Sequence, residues 1–145
     1  MAVHHHLRGD AGGVRTIPQV DLVFQTTLKL FSMKLISWNV RGLNNPGKYR
    51  MIKNMIQKER PQILFLQETR CNSIALGTIL TKAWPGCQLV AVDGSGSSRG
   101  LTIVWDSQSI SLANYHVVHN LIQATFHFIG TNIHGHLSNV FFPQD

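Results

Sequence analysis

The sequence contains little charge, few cysteines and no long apolar run. Charged residues make up 14% of the 145 positions, well below the usual share of about a quarter, while Val, Ile, Leu and Phe occur throughout. This composition argues against a disordered chain and against a coiled coil. No stretch reaches the roughly 18 consecutive apolar residues of a membrane-spanning helix, so we expect no membrane association. Asp10, Asp21 and Lys29 interrupt any apolar run before Met33 that could serve as a secretory signal, so we expect a single domain inside the cell.

The two cysteines, Cys71 and Cys87, are too few for a disulfide framework. They also lack the spacing and the histidine neighbours of a zinc site. Because free cysteines are among the most frequently buried residues, we expect two reduced, half-buried thiols.

Residues 1–32 differ in character from the rest of the chain. They include a run of three histidines, His4–His6, and they sustain neither the period of a strand nor that of a helix. Three histidines are too few for a tight metal site, which favours a solvated tail. The stretch Val20–Phe31 could form either a short strand or a short helix. We predict a poorly structured extension over residues 1–32, followed by one domain over residues 33–145.

The first part of that domain carries clear strand and helix signals. Lys34–Val40 is a short apolar run with β-branched and aromatic members, which predicts a buried strand. Asn45 is a suitable helix cap, and the prolines that follow Asn45 and Arg60 mark the first turn and the end of a helix. Ile63–Leu66 is a second apolar run. Strand, helix and strand in succession predict a βαβ unit with parallel strands.

The remainder of the chain is predicted to contain one further helix, Ser73–Ala83, and five strands. In the clearest strand, apolar residues alternate with polar ones from Ile122 to Phe128, which predicts one buried face and one wetter face. Residues 94–100 are rich in Gly and Ser and predict a mobile loop. A phosphate-cradling role for this loop would need a helix after it, whereas a strand is predicted there. The five strands are predicted over Gln88–Val92, Leu101–Trp105, Ser109–Val118, Leu121–Ile129 and Leu137–Phe142.

Four segments carry a resemblance to a known family. Ile36–Asn44 has the sequence ISWNVRGLN, and Pro61–Thr69 has the sequence PQILFLQET. Arg99–Trp105 (RGLTIVW) resembles a Gly-Gly-Leu strand opening, and Ser138–Asp145 (SNVFFPQD) resembles an Asn-Val-Tyr segment. In this order the segments resemble the endonuclease/exonuclease/phosphatase superfamily, which has the DNase I-like fold. The residues in these segments are most similar to those of the endonuclease domain of plant LINE-type (non-LTR) retrotransposons. The resemblance extends over Met33–Asp145.

The resemblance implies an α/β fold of four layers, in which two sheets form a sandwich with helices on the outer faces. In this family the second sheet comes largely from the C-terminal half, and we expect that half to be missing from this chain. The apolar face of the strand Ile122–Phe128 would then lose its cover. We therefore expect an exposed apolar patch, with self-association through it.

The resemblance also implies a site at the ends of the first two strands. It makes Glu68 the ligand of Mg²⁺ or Mn²⁺, and it makes Asn39 the residue that hydrogen-bonds the phosphate or its attacking water. A carboxylate that holds a hard divalent cation suits the hydrolysis of a phosphodiester at neutral pH. Taken alone, Glu68 beside Arg70 would more often be a surface pair, and Asn39 would more often be a turn former.

This chain also departs from the family pattern. The pattern continues with Gly-Asp-Phe-Asn, whose Asp activates the nucleophile, and with Ser-Asp-His, and neither segment occurs in the sequence. Phe141 stands where the family has a tyrosine near the phosphate, and it has no hydroxyl group for a hydrogen bond. His134 and His136 fall where we predict an exposed hairpin turn. We therefore expect weak metal binding and impaired catalysis.

The charge balance agrees with a nucleic-acid partner. The sequence has 13 Lys and Arg against 7 Asp and Glu, a formal net charge of +6. Much of this charge lies between Lys34 and Arg70, and we predict that Arg41 and Arg70 contact phosphate. A solvated basic helix would give the same balance. We expect DNA as the partner and the nucleus as the location, with a non-catalytic nucleic-acid-binding fragment or a small-molecule phosphatase as alternatives.

Overall fold

The computed structural model describes residues 2–8, 13–15, 33–94, 99–118 and 120–142. Neither of the helices in this part of the chain is long and apolar enough to cross a membrane. The described residues form, in chain order, the strands and helices β1 (Ala2–Arg8), β2 (Gly13–Arg15), β3 (Leu35–Asn39), α1 (Pro46–Glu59), β4 (Ile63–Gln67), α2 (Ser73–Ala83), β5 (Cys87–Val92), β6 (Leu101–Asp106), β7 (Ile110–Val118), β8 (Leu121–Phe128) and β9 (His134–Phe142).

Both helices begin where the sequence supplies a cap. The side chain of Asn45 accepts a hydrogen bond from the backbone N–H of Lys48 at 2.8 Å, and Asn72 caps Ala75 in the same way. α1 is followed by Arg60 in a left-handed conformation, with φ at +46°, and then by a proline that disfavours further helix. The predicted bounds of both helices are confirmed to within one residue.

The first sheet has the strand order β2-β3-β4-β6-β5. β3 and β4 run parallel, as the βαβ pattern predicts, and their register pairs Asn39 with Gln67. The helices cover one face of this sheet, where Trp38 shares a core with Ile52 of α1 and Leu80 of α2. Because parallel strands end at the same edge of a sheet, the loops that follow Asn39 and Gln67 are neighbours.

The second sheet has the strand order β1-β9-β8-β7. Ile122 and Phe126 of β8 share a core with Leu35, Phe65 and Ile103, which project from the other face of the first sheet. The two sheets therefore form a sandwich, and the helices lie outside the first sheet. The predicted α/β fold with two sheets and flanking helices is confirmed.

The apolar face of β8 is not exposed, and this prediction is wrong. Ile122, Ala124, Phe126 and Phe128 are 0%, 3%, 1% and 6% exposed. Alternate residues of a strand point to opposite faces, so the first sheet packs one face on the helices and the other on β8. Self-association through this face therefore has no basis in the fold.

The start of β9 also differs from the prediction. His134 and His136 lie within the strand and not in a hairpin turn, because β9 begins at His134. Antiparallel pairing with β8 continues as far as His127, which lies opposite His134. The pairing also places Gly135 opposite Phe126. The absence of a side chain at Gly135 weakened the strand signal in the sequence.

Residues 1–32 contain two stretches that differ from the predicted lack of structure. β1 pairs in parallel with β9, and β2 pairs antiparallel with β3. An edge strand is held by backbone hydrogen bonds to its neighbour, and these bonds leave no trace in side-chain periodicity. The remainder of 1–32, including Val20–Phe31, lies outside the described residues, as do residues 95–98 of the Gly/Ser-rich loop. The domain boundary at residue 32 stays a prediction.

Both cysteines are free, and both are buried rather than half-buried as predicted. Burial raises the pKa of the Cys71 and Cys87 thiols above their ordinary value. A raised pKa keeps a thiol protonated and unreactive at neutral pH. We assign both residues to packing.

Candidate active site

Asn39 and Glu68 meet at one edge of the first sheet. Asn39 is the last residue of β3, and Glu68 directly follows the last residue of β4. The two loops are joined by backbone hydrogen bonds, from Val40 N–H to the Gln67 carbonyl at 3.0 Å and from Gly42 N–H to the Glu68 carbonyl at 2.7 Å. Asn39 is 2% exposed and Glu68 is 3% exposed. The structure thus brings the two polar side chains together in a buried setting.

Three guanidinium groups surround the Glu68 carboxylate. Arg99 Nη1 lies 2.9 Å from Glu68 Oε1 and donates a hydrogen bond to it. Arg70 Nη2 lies 3.6 Å from the same oxygen, and Arg41 Nε lies 4.0 Å from Oε2. The arginine side chains are about half exposed, while the carboxylate is buried. The two predicted phosphate contacts, Arg41 and Arg70, therefore lie beside Glu68, together with an arginine that we did not predict.

Glu68 is ionised at neutral pH. Burial acts to raise its pKa, but the Arg99 hydrogen bond, the nearby Asn39 amide and the charges of Arg70 and Arg99 together outweigh burial. The pKa of Glu68 therefore lies below its ordinary value. The site presents a carboxylate that is negative at neutral pH and a rim that is positive.

The Asn39 side chain has one satisfied atom and one unsatisfied atom. Its Oδ1 accepts a hydrogen bond from the Arg41 backbone N–H at 3.2 Å. Its Nδ2 is buried and makes no well-formed hydrogen bond to any described residue, although it lies near the Glu68 carboxylate. An unsatisfied buried donor costs about 1–3 kcal/mol. A ligand oxygen that accepted a hydrogen bond from Nδ2 would remove this cost.

Two glycines let a second loop approach the loop after β4. Gly100 has φ at +96°, and a Cβ atom there would overlap Thr69 Oγ1. A Cβ atom at Gly94 would lie 2.7 Å from Arg70 Cα. The backbone N–H of Arg70 donates to the Arg99 carbonyl at 2.8 Å. This close backbone contact places Arg99 beside Glu68.

A buried polar bridge lies beneath the site and joins the two sheets. Asn139 of β9 donates from Nδ2 to the carbonyls of Thr102 at 2.9 Å and Leu66 at 3.2 Å. Its Oδ1 accepts from Gln67 Nε2 at 2.9 Å, and Gln67 also contacts Ser37 Oγ at 2.9 Å. These contacts fix the end of β4, from which Glu68 projects. Asn139 lies in the segment that resembles Asn-Val-Tyr, and this resemblance is the feature of the sequence that could have identified it.

Phe141 lies in the apolar core between the sheets. It is 2% exposed and shares that core with Phe65 and Leu101. The structure therefore gives this position a packing role, and the side chain has no polar atom to offer a phosphate. Of the predicted site residues, Asn39, Arg41, Glu68 and Arg70 lie together, and Phe141 lies in the core.

The residues present fit a loosely held Mg²⁺ or Mn²⁺ ion. Among the described residues, no group of three or more His, Cys, Asp or Glu side chains is arranged to hold a metal ion. Mg²⁺ is nevertheless commonly held by one or two carboxylates, with water and substrate phosphate as the other ligands. An ionised Glu68 with the Asn39 amide beside it matches that pattern, and it does not match the closed ligand set of a structural zinc site.

A cavity of greater volume lies away from Glu68. It has a volume of about 690 Å³ and opens on the outer face of the second sheet, where His127, His134 and His136 line it. None of the predicted site residues lines this cavity. A smaller cavity of about 350 Å³ lies against Arg70 and is also lined by Asn44 and Asn72. We place the site at Glu68, where charge and unsatisfied polar atoms converge, and not at the larger cavity.

Comparison with known proteins agrees with this architecture. A family model described as "Endonuclease/Exonuclease/phosphatase family" matches residues 36–137. None of the curated proteins gives a significant match. Among solved structures, the catalytic domain of human Nocturnin with a bound sulfate anion is 15% identical, with a TM-score of 0.60 over 73% of this chain and 48% of that chain.

Two further structures have similar scores. TDP2 of D. rerio complexed with a single-strand DNA product is 21% identical, with a TM-score of 0.54 over 72% of this chain and 44% of that chain. A Bacteroides thetaiotaomicron protein of the endonuclease/exonuclease/phosphatase family is 17% identical, with a TM-score of 0.54 over 72% of this chain and 48% of that chain. At these identities the structures show a shared fold. The chain spans a little under half the length of each of them.

Proposed function

The chain belongs to the endonuclease/exonuclease/phosphatase family, and on that premise we propose that it is part of a Mg²⁺-dependent DNA endonuclease of the LINE retrotransposon type. We further propose that the 145-residue chain is catalytically impaired by itself. The substrate class of this proposal is the phosphodiester backbone of DNA, and its cellular location is the nucleus. The LINE assignment is supported by the sequences WNVRGLN and LQETR.

The observation that carries this proposal is the ionised, buried carboxylate of Glu68 beside Asn39 Nδ2, a buried donor without a well-formed hydrogen bond among the described residues. Glu68 would hold the metal ion, which when bound would supply charge neutralisation at the phosphate oxygens. Asn39 Nδ2 is available to donate to a phosphate oxygen or to an attacking water. Arg41 and Arg70 carry positive charge at the rim, where they would orient the phosphate backbone.

The proposed impairment follows from the groups that the chain does not supply. Phosphodiester hydrolysis needs a group that activates water and a group that protonates the leaving oxygen, and each such group contributes about 10²–10⁴ in rate. The sequence contains neither the Gly-Asp-Phe-Asn nor the Ser-Asp-His segment that supplies them in the family pattern. Binding groups alone should position a phosphodiester without cleaving it at a useful rate.

A DNA partner is supported by charge. The net charge is +6, and exposed basic residues continue from Arg41 along α1 through Arg50, Lys53 and Lys58. Among the similar structures, D. rerio TDP2 is described in complex with single-strand DNA product. Basic side chains of this kind contact the phosphate backbone, so we expect binding that is independent of base sequence.

A non-catalytic nucleic-acid-binding module is the second candidate. It is favoured by the hydrogen bond between Arg99 and Glu68, which satisfies the carboxylate with a cation from the protein itself. Under this alternative the chain binds DNA equally well in EDTA and in Mg²⁺, and Glu68 serves only to order the arginines.

Metal binding separates the two candidates. We expect the chain to bind Mn²⁺ weakly, as measured by the relaxation of water protons, and we expect Glu68→Gln to abolish this binding. Glu59→Gln is the matched control, because it removes a carboxylate that is paired with Lys34 at the protein surface. Equal Mn²⁺ binding by the wild type and Glu68→Gln would remove Glu68 from the metal site and leave the second candidate.

Catalytic impairment is tested by the nicking of supercoiled plasmid in Mg²⁺. We expect no nicking above that of a Glu68→Gln preparation, because the water-activating group is missing. Nicking by the wild type that disappears in Glu68→Gln and persists in Glu59→Gln would overturn the proposed impairment.

A further inference from the structure

Arg99 makes the closest contact with Glu68 of the three surrounding arginines. Its Nη1 lies 2.9 Å from Oε1, whereas Arg70 and Arg41 approach to 3.6 Å and 4.0 Å. A hydrogen bond of this length between two charged groups is a strong one. One of the two carboxylate oxygens, Oε1, therefore already accepts a hydrogen bond from a cation of the protein.

The backbone holds Arg99 in this position. Arg99 has φ at +55°, in the left-handed region that glycine adopts most easily, and Gly100 follows it with φ at +96°. The Arg99 carbonyl accepts the Arg70 backbone N–H at 2.8 Å, so the two arginines start from hydrogen-bonded neighbouring segments. Because glycine suits this backbone better than arginine does, Arg99→Gly should preserve the loop.

The charge at the site favours an anion. Among the described residues, three guanidinium groups lie within 4.0 Å of the one carboxylate of Glu68, so positive charge is in excess around it. This excess of positive charge weakens the binding of a divalent cation and favours the binding of a phosphate. The guanidinium groups are about half exposed, and planar guanidinium groups match phosphate oxygens in pairs. Asn39 Nδ2 adds a buried donor without a hydrogen-bond partner among the described residues.

We propose that Arg99 takes the place of a divalent cation on Glu68 and converts the site into one that binds phosphate groups without a metal. In this state Arg99, Arg70 and Arg41 share the phosphate oxygens, and Glu68 orders the guanidinium groups. A metal ion gains access to Glu68 only when Arg99 leaves it. The inference rests on the proposed function and deepens it, because it adds the Arg99 contact of the second candidate and keeps the metal role of Glu68 for the state in which Arg99 has left.

The test uses Arg99→Gly with Arg60→Gly as the matched control. Arg60 also has a positive φ, at +46°, and it is exposed directly after α1, at the opposite end of β4 from Glu68. Both substitutions therefore remove one positive charge and relieve the same kind of backbone conformation. Arg99→Gln serves as a second variant, because it removes the charge and keeps most of the side-chain length.

Two measurements are made on the full chain. In EDTA, we expect the affinity for inorganic phosphate, followed by ³¹P NMR titration, to fall about tenfold in Arg99→Gly and Arg99→Gln. Without phosphate, we expect the affinity for Mn²⁺, followed by water-proton relaxation, to rise about tenfold in the same variants. Arg60→Gly should match the wild type in both titrations.

The outcomes separate this inference from the proposed function. If Arg99→Gly and Arg99→Gln leave both affinities unchanged, or if Arg60→Gly changes them equally, then Arg99 does not control the site and the inference is overturned. If Arg99→Gly binds Mn²⁺ more tightly and adding Glu68→Gln to it has no effect on that binding, the metal role of Glu68 in the proposed function fails instead.

Discussion

Glu68 shows how burial and charge compete at a single residue. A carboxylate that is 3% exposed would ordinarily be driven towards its neutral form. Here the pKa is lowered, because Arg99 donates a hydrogen bond and Arg70 adds positive charge. The neighbouring arginines thus make it possible to keep a charged group in the interior, where the charge is available for chemistry.

The lowered pKa of Glu68 predicts how stability depends on pH. In the unfolded chain the carboxyl group has its ordinary pKa of 4.5, so the unfolded state takes up a proton first as the pH falls. The stabilisation is therefore complete well above pH 4.5 and is lost as the pH falls through the lower pKa of the folded state. Urea unfolding measured between neutral pH and pH 3 should show this loss in the wild type.

Glu68→Gln should flatten that dependence on pH. At neutral pH we expect it to reduce the free energy of unfolding by about 1–3 kcal/mol, because the charge-assisted hydrogen bond with Arg99 is weakened. Glu59→Gln removes a partly exposed pair at the surface and should change stability less. If the free energy of unfolding falls by the same amount between neutral pH and pH 3 in the wild type and in Glu68→Gln, then groups other than Glu68 cause the dependence on pH.

Arg99 is the site residue that the sequence did not reveal. Its partner is 31 positions away, and the contact depends on how closely two loops approach. The sequence did carry one signal, since Gly100 follows Arg99 in the segment RGLTIVW. Asn39 and Glu68 were predictable because the segments that contain them resemble a known family, and their proximity agrees with the parallel strands of a βαβ unit, which end at the same edge. The charge of the site depends on a tertiary contact that no local pattern encodes.

At the scale of elements, β3, α1, β4 and α2 follow local signals. The caps at Asn45 and Asn72, the proline after Arg60 and two short apolar runs fix their bounds almost to the residue. The start of β9 could not be read in the same way, because Gly135 carries no side chain and its strand conformation depends on pairing with β8. β1 and β2 are likewise defined by the edges that they join.

Two glycines should respond in opposite ways to the same substitution. Gly100→Ala should lower the free energy of unfolding by about 1–3 kcal/mol, because φ is positive and the new Cβ overlaps Thr69. Gly77→Ala, in α2, should raise it by about 0.5–1 kcal/mol, because the Cβ meets no atom within contact distance and alanine favours a helix. Thermal unfolding followed by circular dichroism measures both changes. A Gly100→Ala variant as stable as the wild type would contradict the tight packing of the two loops.

At the scale of the whole molecule, the sandwich covers the apolar faces of both sheets. The sequence indicated which residues of β8 are apolar, but it did not indicate which layer would cover them. The sequence did not show that the first sheet would bury the apolar face of β8. β3 and β4 are buried on both faces, so their sequences are continuous apolar runs that do not distinguish one face from the other. The outcome is a molecule in which buried polar side chains, including Asn39, Gln67 and Glu68, gather at one edge of the first sheet.

Charge reversal tests whether this edge faces DNA. Arg41→Glu combined with Arg70→Glu should weaken binding to duplex DNA and reduce the slope of log K against log salt by about two. Arg60→Glu combined with Lys82→Glu changes the net charge equally, at the last turns of the helices, and should have the smaller effect. Fluorescence anisotropy at several salt concentrations provides the measurement. Equal losses in the two double variants would indicate attraction by net charge rather than a defined binding edge.

The most direct test of the central claim is to locate phosphate binding by NMR. In a ¹⁵N-labelled sample titrated with a short DNA duplex, we expect the largest shifts in the backbone signals of Glu68, Arg70 and Arg99 and in the side-chain amide of Asn39. The Asn39 signal matters most, because its Nδ2 is the buried donor that a phosphate oxygen would satisfy. Shifts confined to the histidine-lined cavity around His134, with the Asn39 amide unchanged at saturating DNA, would contradict the account.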